Sequence, residues 1–237
     1  MNVAIHQPHY LPWLGYLAKW AAADVFVFLD TVQYEKNGWQ NRNRINTGAG
    51  PRWLTVPVHA RLGTPIAEVT IDTAQPWRAR HLHAIEEAYA ASPHLPRHRP
   101  ALERLYARDW ERLAPLAVES AQWLAEAVGI STPTRLASAL AVGADDPTER
   151  LVALCRAVGA DTYLAGRDGA GYMRLEVFEK ARIEVRFQAY EHPVYAQGEG
   201  EFVPFLSAVD LLLTHGDDAL SILRRGDVWS RRASELT

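Results

Sequence analysis

The chain has 237 residues, of which 48% are hydrophobic and 22% are charged, and its formal net charge is -3. This length and composition exclude a mostly disordered protein and allow a large apolar core. The small net charge and the lack of a lysine- or arginine-rich tract argue against binding to a nucleic-acid duplex. We expect a single α/β domain over residues 1–237.

The N-terminal residues have the pattern of a strand, a helix and a second strand. Apolar residues at 2–6 predict a strand, helical spacing predicts a helix over 12–22, and a continuous apolar run at 25–29 predicts a strand that is covered on both faces. Pro12 suits the first turn of the helix, where an N–H has no partner. This order is typical of a βαβ unit.

The middle of the chain has a polar segment, two β segments and then a block with helical periodicity. A polar and aromatic segment at 31–44 precedes β segments at 52–58 and 66–71, with turn residues at 48–51. Residues 76–129 have helical periodicity, with breaks near Ser92 and over 96–100. They predict an insertion of two or three helices.

Strands and helices alternate again after Gly129. Strands are predicted at 132–136, 162–164 and 184–190, and helices at 146–158, 173–181 and 204–214. Asp146 is a good helix cap before Pro147. This alternation of strands and helices predicts a mostly parallel sheet with flanking helices.

Several classes of site are not supported by the residues. The single cysteine, Cys155, excludes an internal disulfide framework and a multi-thiolate zinc site, and we predict that it is buried on a helix. His81 and His83 would point about 200° apart on a helix, so no metal site is predicted. No signal-peptide pattern or long apolar span occurs, so we expect a cytoplasmic protein without a membrane partner. The residues identify no cofactor.

The loop after the first strand concentrates polar and aromatic side chains. In open α/β sheets, ligands bind outside the carboxyl ends of the strands, and Asp30, which ends the second strand, would lie at the same edge. The alternative is that these groups only satisfy the loop backbone. The candidates on this loop and the following helix are His6, Gln7, His9, Tyr10 and Tyr16.

A second segment, at 30–44, combines amides, cations and an aromatic ring. Such a density of polar groups is costly to bury without a ligand or a complete hydrogen-bond network, although a solvated hairpin would also explain it. Lys36, Arg42 and Arg44 could hold phosphate or carboxylate groups. The further candidates for substrate binding are Gln33, Trp39, Asn41 and Asn43.

These two segments resemble the WbqC-like family. The opening pattern of that family is matched by Gln7, Pro8, Pro12, Gly15 and Tyr16. Its second pattern is matched by Asp30, Val32, Tyr34, Lys36, Asn37, Gly38, Trp39, Asn41, Arg42 and Asn43. The resemblance extends over nearly the whole chain and is weakest at 76–129. It adds Gly169, Tyr172 and Gln197 as candidate binding residues.

The resemblance implies a role in the biosynthesis of bacterial surface polysaccharides and specialised metabolites, often beside amino-sugar chemistry. A weaker similarity concerns the fold, because the first loop and helix look like the His-x-Gly-His region of the nucleotidyltransferase (HUP-like) superfamily. Trp13 and Tyr16 stand where that pattern has its two histidines. A nucleotidyltransferase-like fold is therefore expected with ATP chemistry left open.

The leading hypothesis is a transferase that forms an amide on an amino group of a sugar or small metabolite, with an acyl or aminoacyl carrier as donor. Amide formation needs a base and donors for the tetrahedral oxyanion. Asp30 or His6 could take the proton, and Lys36, Asn41 or Arg42 could face the oxyanion. The alternatives are an ATP-dependent ligase and a non-catalytic protein that binds a carrier or a sugar.

Overall fold

The computed structural model describes residues 1–198 and 200–230. The strands in this part are β1 (Asn2–His6), β2 (Val25–Phe28), β3 (Arg42–Ile45), β4 (Arg52–Thr55), β5 (Val58–His59), β6 (Thr70–Ile71), β7 (Thr134–Leu136), β8 (Thr162–Ala165), β9 (Glu184–Gln188) and β10 (Trp229–Ser230). The α-helices are α1 (Leu14–Ala21), α2 (Trp77–Ala88), α3 (Leu95–Ala107), α4 (Leu113–Ala127), α5 (Pro147–Ala157), α6 (Leu175–Lys180), α7 (Ala208–His215) and α8 (Ala219–Arg224).

The central sheet has the strand order β10-β9-β8-β1-β2-β7. Strand β10 is antiparallel to β9, and the other neighbouring strands are parallel. Strands β1 and β2 pair with Val3 opposite Val25 and are joined by α1, so the predicted βαβ unit is confirmed. The α/β class with a mostly parallel sheet and flanking helices is confirmed as well.

Helices cover both faces of this sheet. Ala4 and Phe26 face a core that includes residues of α1, α4, α7 and α8. Val3 and Val27 face a second core, to which α5 and α6 contribute. Apolar side chains are therefore required on both sides of β2, which explains why its sequence does not alternate. No helix of the described residues is long and apolar enough to cross a membrane.

The helical block between β6 and β7 contains α2, α3 and α4. The break predicted near Ser92 separates α2 from α3, but the break predicted over 96–100 is wrong, because α3 continues through Pro100. Pro96 lies in the first turn, where its missing N–H costs nothing. Pro100 loses one helical hydrogen bond, which the burial of Leu102 and Leu105 on the same helix offsets.

Several other predicted elements differ in extent from the structure. The segment 52–58 is divided into β4 and β5, because Pro57 cannot donate to a sheet ladder. Residues Ile66–Glu68 form a 3-10 helix before the short β6. The last predicted helix begins at Ala208, because the Ser207 hydroxyl caps it by accepting from the Val209 N–H at 3.2 Å. Helix α6 is shorter than the predicted 173–181.

The strand order reverses between β1 and β8. From β1 the chain proceeds outward through β2 and β7, whereas β8 and β9 continue on the other side of β1. In open α/β sheets this point leaves a crevice outside the carboxyl ends of the two strands, where ligands bind. His6 at the end of β1, the residues Gln7 to His9 after it, and Gly166 to Asp168 after β8 define the candidate site.

Candidate functional site

Three aromatic rings meet at the carboxyl end of β1. The ring centroids of His6 and His9 are 4.7 Å apart, those of His6 and Tyr16 are 4.7 Å apart, and those of His9 and Tyr16 are 5.0 Å apart. His9 and Tyr16 are buried, and His6 is partly exposed. The tyrosine hydroxyl donates to the Gln7 carbonyl at 3.1 Å, which fixes the loop against α1. The site therefore has a rigid aromatic wall.

Lys19 of α1 is buried beside these rings, with only 2% of its surface exposed. A methyl group built on Gly166, at the end of β8, would lie 3.5 Å from its Nζ atom, so the ammonium lies at the reversal point of the sheet. Within residues 1–198 and 200–230 it has no hydrogen-bond or ion-pair partner, although the Asp168 carboxylate attracts it at longer range. A buried, unpaired lysine is rare and costly in a protein interior.

Burial and mutual repulsion shift the pKa values of this cluster. Burial lowers the pKa of Lys19 to about 7, and the nearby Asp168 limits that fall. Burial, together with repulsion from Lys19, lowers the pKa of His9 to about 3 and that of His6 well below 6.5. Both imidazoles are therefore neutral at pH 7, while the lysine exchanges its proton near neutrality. We refer to His6, His9, Tyr16 and Lys19 as the switch-point cluster.

The hydrogen bonding of His6 defines its tautomer. Its Nδ1 lies 3.2 Å from the Gln7 carbonyl oxygen, which can only accept, so Nδ1 carries the proton. In the neutral ring the Nε2 atom then keeps a lone pair. Nearby, the His9 Nδ1 atom is buried without a hydrogen-bond partner among the described residues. The cluster thus offers an unprotonated imidazole nitrogen near a lysine that titrates near neutrality.

Trp13 and Gln188 form another wall beside the cluster. The Trp13 indole, which precedes α1, covers Gly15 so closely that a methyl group there would come within 2.2 Å of the ring. The Gln188 amide, at the end of β9, donates to the Gly15 carbonyl at 3.0 Å. Gly15 is therefore needed for space, and α1 is fixed to the neighbouring strand.

The loop after β1 is connected to the segment 30–44. The Gln7 side-chain oxygen accepts from the buried Gln40 amide at 2.7 Å, and the Tyr10 N–H donates to the Trp39 carbonyl at 3.3 Å. The Asn43 amide donates to the Leu11 carbonyl at 2.6 Å. The two segments singled out in the sequence therefore pack against each other at one edge of the sheet.

Asp30 lies two residues after the end of β2, which is shorter than the predicted strand, and its carboxylate faces the β7 side. One oxygen accepts from the Ser138 N–H at 2.9 Å and the other from the Ser138 hydroxyl at 2.6 Å. The side chain is 3% exposed. These contacts hold the chain after β7 against the chain after β2, and a catalytic role for Asp30 stays a prediction.

Other predicted residues take part in structural hydrogen bonds. The buried Tyr10 hydroxyl contacts His81 Nδ1 at 2.9 Å and the Tyr106 hydroxyl at 2.5 Å. The Asn41 amide donates to the Val56 carbonyl at 2.8 Å, whereas its side-chain oxygen is buried without a described partner. The Gln197 side-chain amide donates to the Val203 carbonyl, and its side-chain oxygen accepts from the Val203 N–H. These three side chains fix loops in place.

The remaining predicted residues lie on or near the surface, except for Gly169, which is buried. Gln33 and Lys36 are exposed, and Arg42 contacts the indole of Trp53. Gly169 packs beneath Met173, and Tyr172 is 58% exposed in the turn after β8. The structure thus brings His6, Gln7, His9 and Tyr16 together and places Lys36 outside that group. Their roles in binding stay predictions.

The sequence did not single out Lys19, although it carries the most unusual charge of the site. Its only signal was a charged residue within the otherwise apolar stretch of α1, and such a lysine usually extends its ammonium to solvent. Its ammonium lies close to Gly166 and is attracted by Asp168, and both residues are distant in sequence. The predicted burial of Cys155 on a helix is confirmed, and burial raises the pKa of this thiol to about 12.

Two open surface depressions lie away from the switch-point cluster. One, of about 510 Å³, borders residues 47–52, and another, of about 690 Å³, borders α2 and α3. Both are shallow and lie next to largely exposed side chains. Their shape alone does not indicate chemistry, so the switch-point cluster is the stronger candidate.

Comparisons with known proteins agree with the resemblance seen in the sequence. Residues 7–222 match the WbqC-like protein family. The chain is 36% identical over 228 residues to the uncharacterized protein Rv1507c of Mycobacterium tuberculosis, a match that covers 94% of this chain and 97% of that protein. No solved structure matches the chain.

Proposed function

Since the chain belongs to the WbqC-like protein family, we propose that it is a biosynthetic transferase that forms an amide by moving an acyl or aminoacyl group onto an amino group of a sugar or other small metabolite. The observation that carries the proposal is the pair of Lys19 and His6 at the reversal point of the sheet. One supplies a titrating ammonium, and the other supplies an unprotonated imidazole nitrogen. A cytoplasmic location belongs to the same proposal.

The pair supplies the two groups that amide formation needs. The substrate amine attacks the acyl carbonyl carbon, and a proton must leave the nitrogen as the carbonyl oxygen gains negative charge. His6 Nε2 accepts that proton, because its neutral form predominates at pH 7. The Lys19 ammonium stabilises the oxyanion, and low water access strengthens this interaction. The leaving group, a thiolate for a carrier thioester, departs with the proton from His6.

This assignment differs from the roles expected from the sequence. Asp30 was a candidate base, but both of its oxygens accept hydrogen bonds from Ser138. Lys36 was a candidate for the oxyanion, but its side chain is exposed on the segment 30–44. We therefore assign proton transfer to His6 and oxyanion stabilisation to Lys19.

An ATP-dependent ligase is the second candidate, and the topology of the sheet favours it. Five parallel strands with a reversal beside β1 form the type of sheet in which nucleotides bind at the carboxyl edge, and a nucleotidyltransferase-like (HUP-like) fold has this form. In that case Lys19 would hold a phosphate group, and amide formation would consume ATP. The two candidates differ in their need for ATP.

A product assay tests the proposal. The protein is incubated with acyl thioesters or aminoacyl donors and a panel of amino sugars, with and without ATP, and the amide is detected by mass spectrometry. His6→Asn is the informative variant, because the asparagine amide can keep the contact of Nδ1 with the Gln7 carbonyl but has no equivalent of Nε2. Lys180→Met is the control, since Lys180 is exposed on α6.

We expect an amide without ATP in the wild-type protein, a loss of about 100-fold or more in His6→Asn and in Lys19→Met, and no loss in Lys180→Met. Strict dependence on ATP would favour the ligase. Tight binding of an amino sugar or donor without any turnover would favour a non-catalytic binding protein. Full turnover in both His6→Asn and Lys19→Met would remove the proposed site.

A further inference from the structure

Positive charge is concentrated in one part of a chain whose net charge is negative. Residues 31–61 contain one acidic residue, Glu35, and five cationic ones, whereas the whole chain has a net charge of -3. The cations are Lys36, Arg42, Arg44, Arg52 and Arg61. This segment includes the β3–β4 hairpin, so its surface attracts anions that the rest of the molecule repels.

The outer face of the hairpin combines these cations with an indole. Arg44 and Trp53 are paired across the strands, and Arg42 lies two residues away on the same face. The guanidinium carbons of Arg42 and Arg44 lie 4.4 Å and 5.6 Å from the centre of the Trp53 ring. A second indole, that of Trp39, has its centre 5.6 Å from that ring. We name Trp39, Arg42, Arg44 and Trp53 the hairpin platform.

The platform retains unused binding capacity. Trp53 is 44% exposed, which is unusual for a large aromatic residue. Neither Arg42 nor Arg44 makes an ion pair within the described part of the chain, and the Nε atoms of both are buried without a hydrogen-bond partner there. Their hydrogen bonds are to backbone carbonyls and the Asn37 side chain, which leaves the positive charges uncompensated.

Two sets of contacts link the platform to the surroundings of the switch-point cluster. The Arg44 guanidinium donates to the Pro204 carbonyl at 3.2 Å, and the neighbouring Phe205 ring lies 5.6 Å from the Trp13 ring that covers the start of α1. On the other side, the Trp39 carbonyl accepts from the Tyr10 N–H, in the loop that carries His6 and His9. The platform and the switch-point cluster are therefore connected through the loop after β1 and through residues 204–205.

We propose that the hairpin platform binds the nucleoside diphosphate part of a substrate, with the base or its sugar on Trp53 and the phosphates on Arg42 and Arg44. Indoles stack on any nucleobase, and guanidinium groups pair with phosphate oxygens in a bidentate manner. This inference rests on the proposed function for its substrate: the same chemistry occurs in the coenzyme A of an acyl donor and in a nucleotide-activated amino sugar. The platform binds whichever of the two the enzyme uses.

Titration calorimetry with coenzyme A, ADP, UDP and pyrophosphate tests the platform without any turnover. Trp53→Leu removes the stacking surface, Arg44→Gln removes one charge, and Arg156→Gln is the matched control, because Arg156 is exposed on α5 at the opposite face of the sheet. Circular dichroism and the melting temperature of each variant establish that the fold is retained.

We expect the wild-type protein to bind coenzyme A or UDP at millimolar concentration or below. Trp53→Leu should weaken nucleotide binding by about 5- to 100-fold and leave pyrophosphate binding unchanged. Arg44→Gln should weaken both, and Arg156→Gln neither. Preference for coenzyme A would assign the platform to the donor, and preference for UDP would assign it to the acceptor. The inference is wrong if no nucleotide binds at 1 mM or if Trp53→Leu binds nucleotides like the wild type.

The outcome is separable from that of the proposed function. Lys19→Met should keep nucleotide binding, because Lys19 lies at the reacting end. Nucleotide binding at the platform without any amide product would refute only the proposed function. Amide formation with unchanged KM values in Trp53→Leu and Arg44→Gln would refute only the platform.

Discussion

Lys19→Met should make the protein more stable and less active. Methionine has a similar length and no charge, so it keeps the packing of α1 and removes the cost of a buried ammonium. The pKa of Lys19 is about 7 in the folded protein, against an ordinary value of 10.5. At about 1.4 kcal/mol per pKa unit, the wild-type lysine costs the fold about 4 kcal/mol at pH 7.

The dependence on pH identifies the origin of this gain. Between about pH 7 and pH 10.5 the unfolded chain binds more protons at Lys19 than the folded protein does, so the stability of the wild type rises with pH. The cost is fully present below pH 7 and disappears above pH 10.5. The stability gain of Lys19→Met should therefore shrink from about 4 kcal/mol at pH 7 to about 2 kcal/mol at pH 9.

Urea unfolding of both proteins at pH 7 and pH 9 measures this difference. Lys180→Met, on the exposed face of α6, should change the free energy of unfolding by less than about 0.5 kcal/mol at either pH. The reasoning about the buried ammonium is refuted if Lys19→Met is no more stable than the wild type at pH 7, or if its gain is equal at the two pH values.

Three further predictions concern the surroundings of the site. Ser138→Ala should lower the free energy of unfolding in urea by about 1–3 kcal/mol, because it removes one hydrogen bond to the buried Asp30 carboxylate. Additive effects of Ser138→Ala and Asp30→Ala in a double-mutant cycle would contradict this coupling. Gly15→Ala should lower the free energy of unfolding by about 1–3 kcal/mol, because its methyl group meets the Trp13 indole. Gly143→Ala, with open space around it, should be nearly neutral. Equal melting temperatures of the two variants would contradict the close contact. In the product assay, kcat/KM should fall as pH rises through about 7, because the ammonium of Lys19 is lost; a rate that increases through this range would instead make Lys19 the base.

Local patterns were sufficient to predict the framework of the fold. The apolar run at 25–29, the spacing of α1 and the Asp146 cap each depend on residues close in sequence, and the structure has a strand, a helix and a capped helix near these places. The predicted break at 96–100 was wrong because burial of Leu102 and Leu105 offsets the loss at Pro100. The proline pattern alone does not show that burial elsewhere on the helix outweighs the lost hydrogen bond.

The site was predictable in position but not in chemistry. The polar loop after β1 is recognisable from composition, and the rule for parallel sheets places it at a ligand-binding edge. The pKa of Lys19, however, depends on burial under elements separated by more than 140 residues, such as the turn at Gly166. Asp30 lies two residues beyond the end of its strand, close to its predicted place, yet its partner, Ser138, is 108 residues away in sequence.

Selective acylation of lysines tests the central claim without knowledge of the substrates. An ordinary lysine is almost entirely protonated at pH 7, whereas about half of Lys19 is neutral, so a small reagent that enters the crevice should modify it first. The chain is treated with limiting acetic anhydride at pH 7, and modification of Lys19, Lys36 and Lys180 is compared by peptide mass spectrometry. Preferential acetylation of Lys19 is the predicted result. Acetylation of the exposed Lys36 and Lys180, with Lys19 unmodified until the protein unfolds, would contradict an accessible site at the ends of β1 and β8.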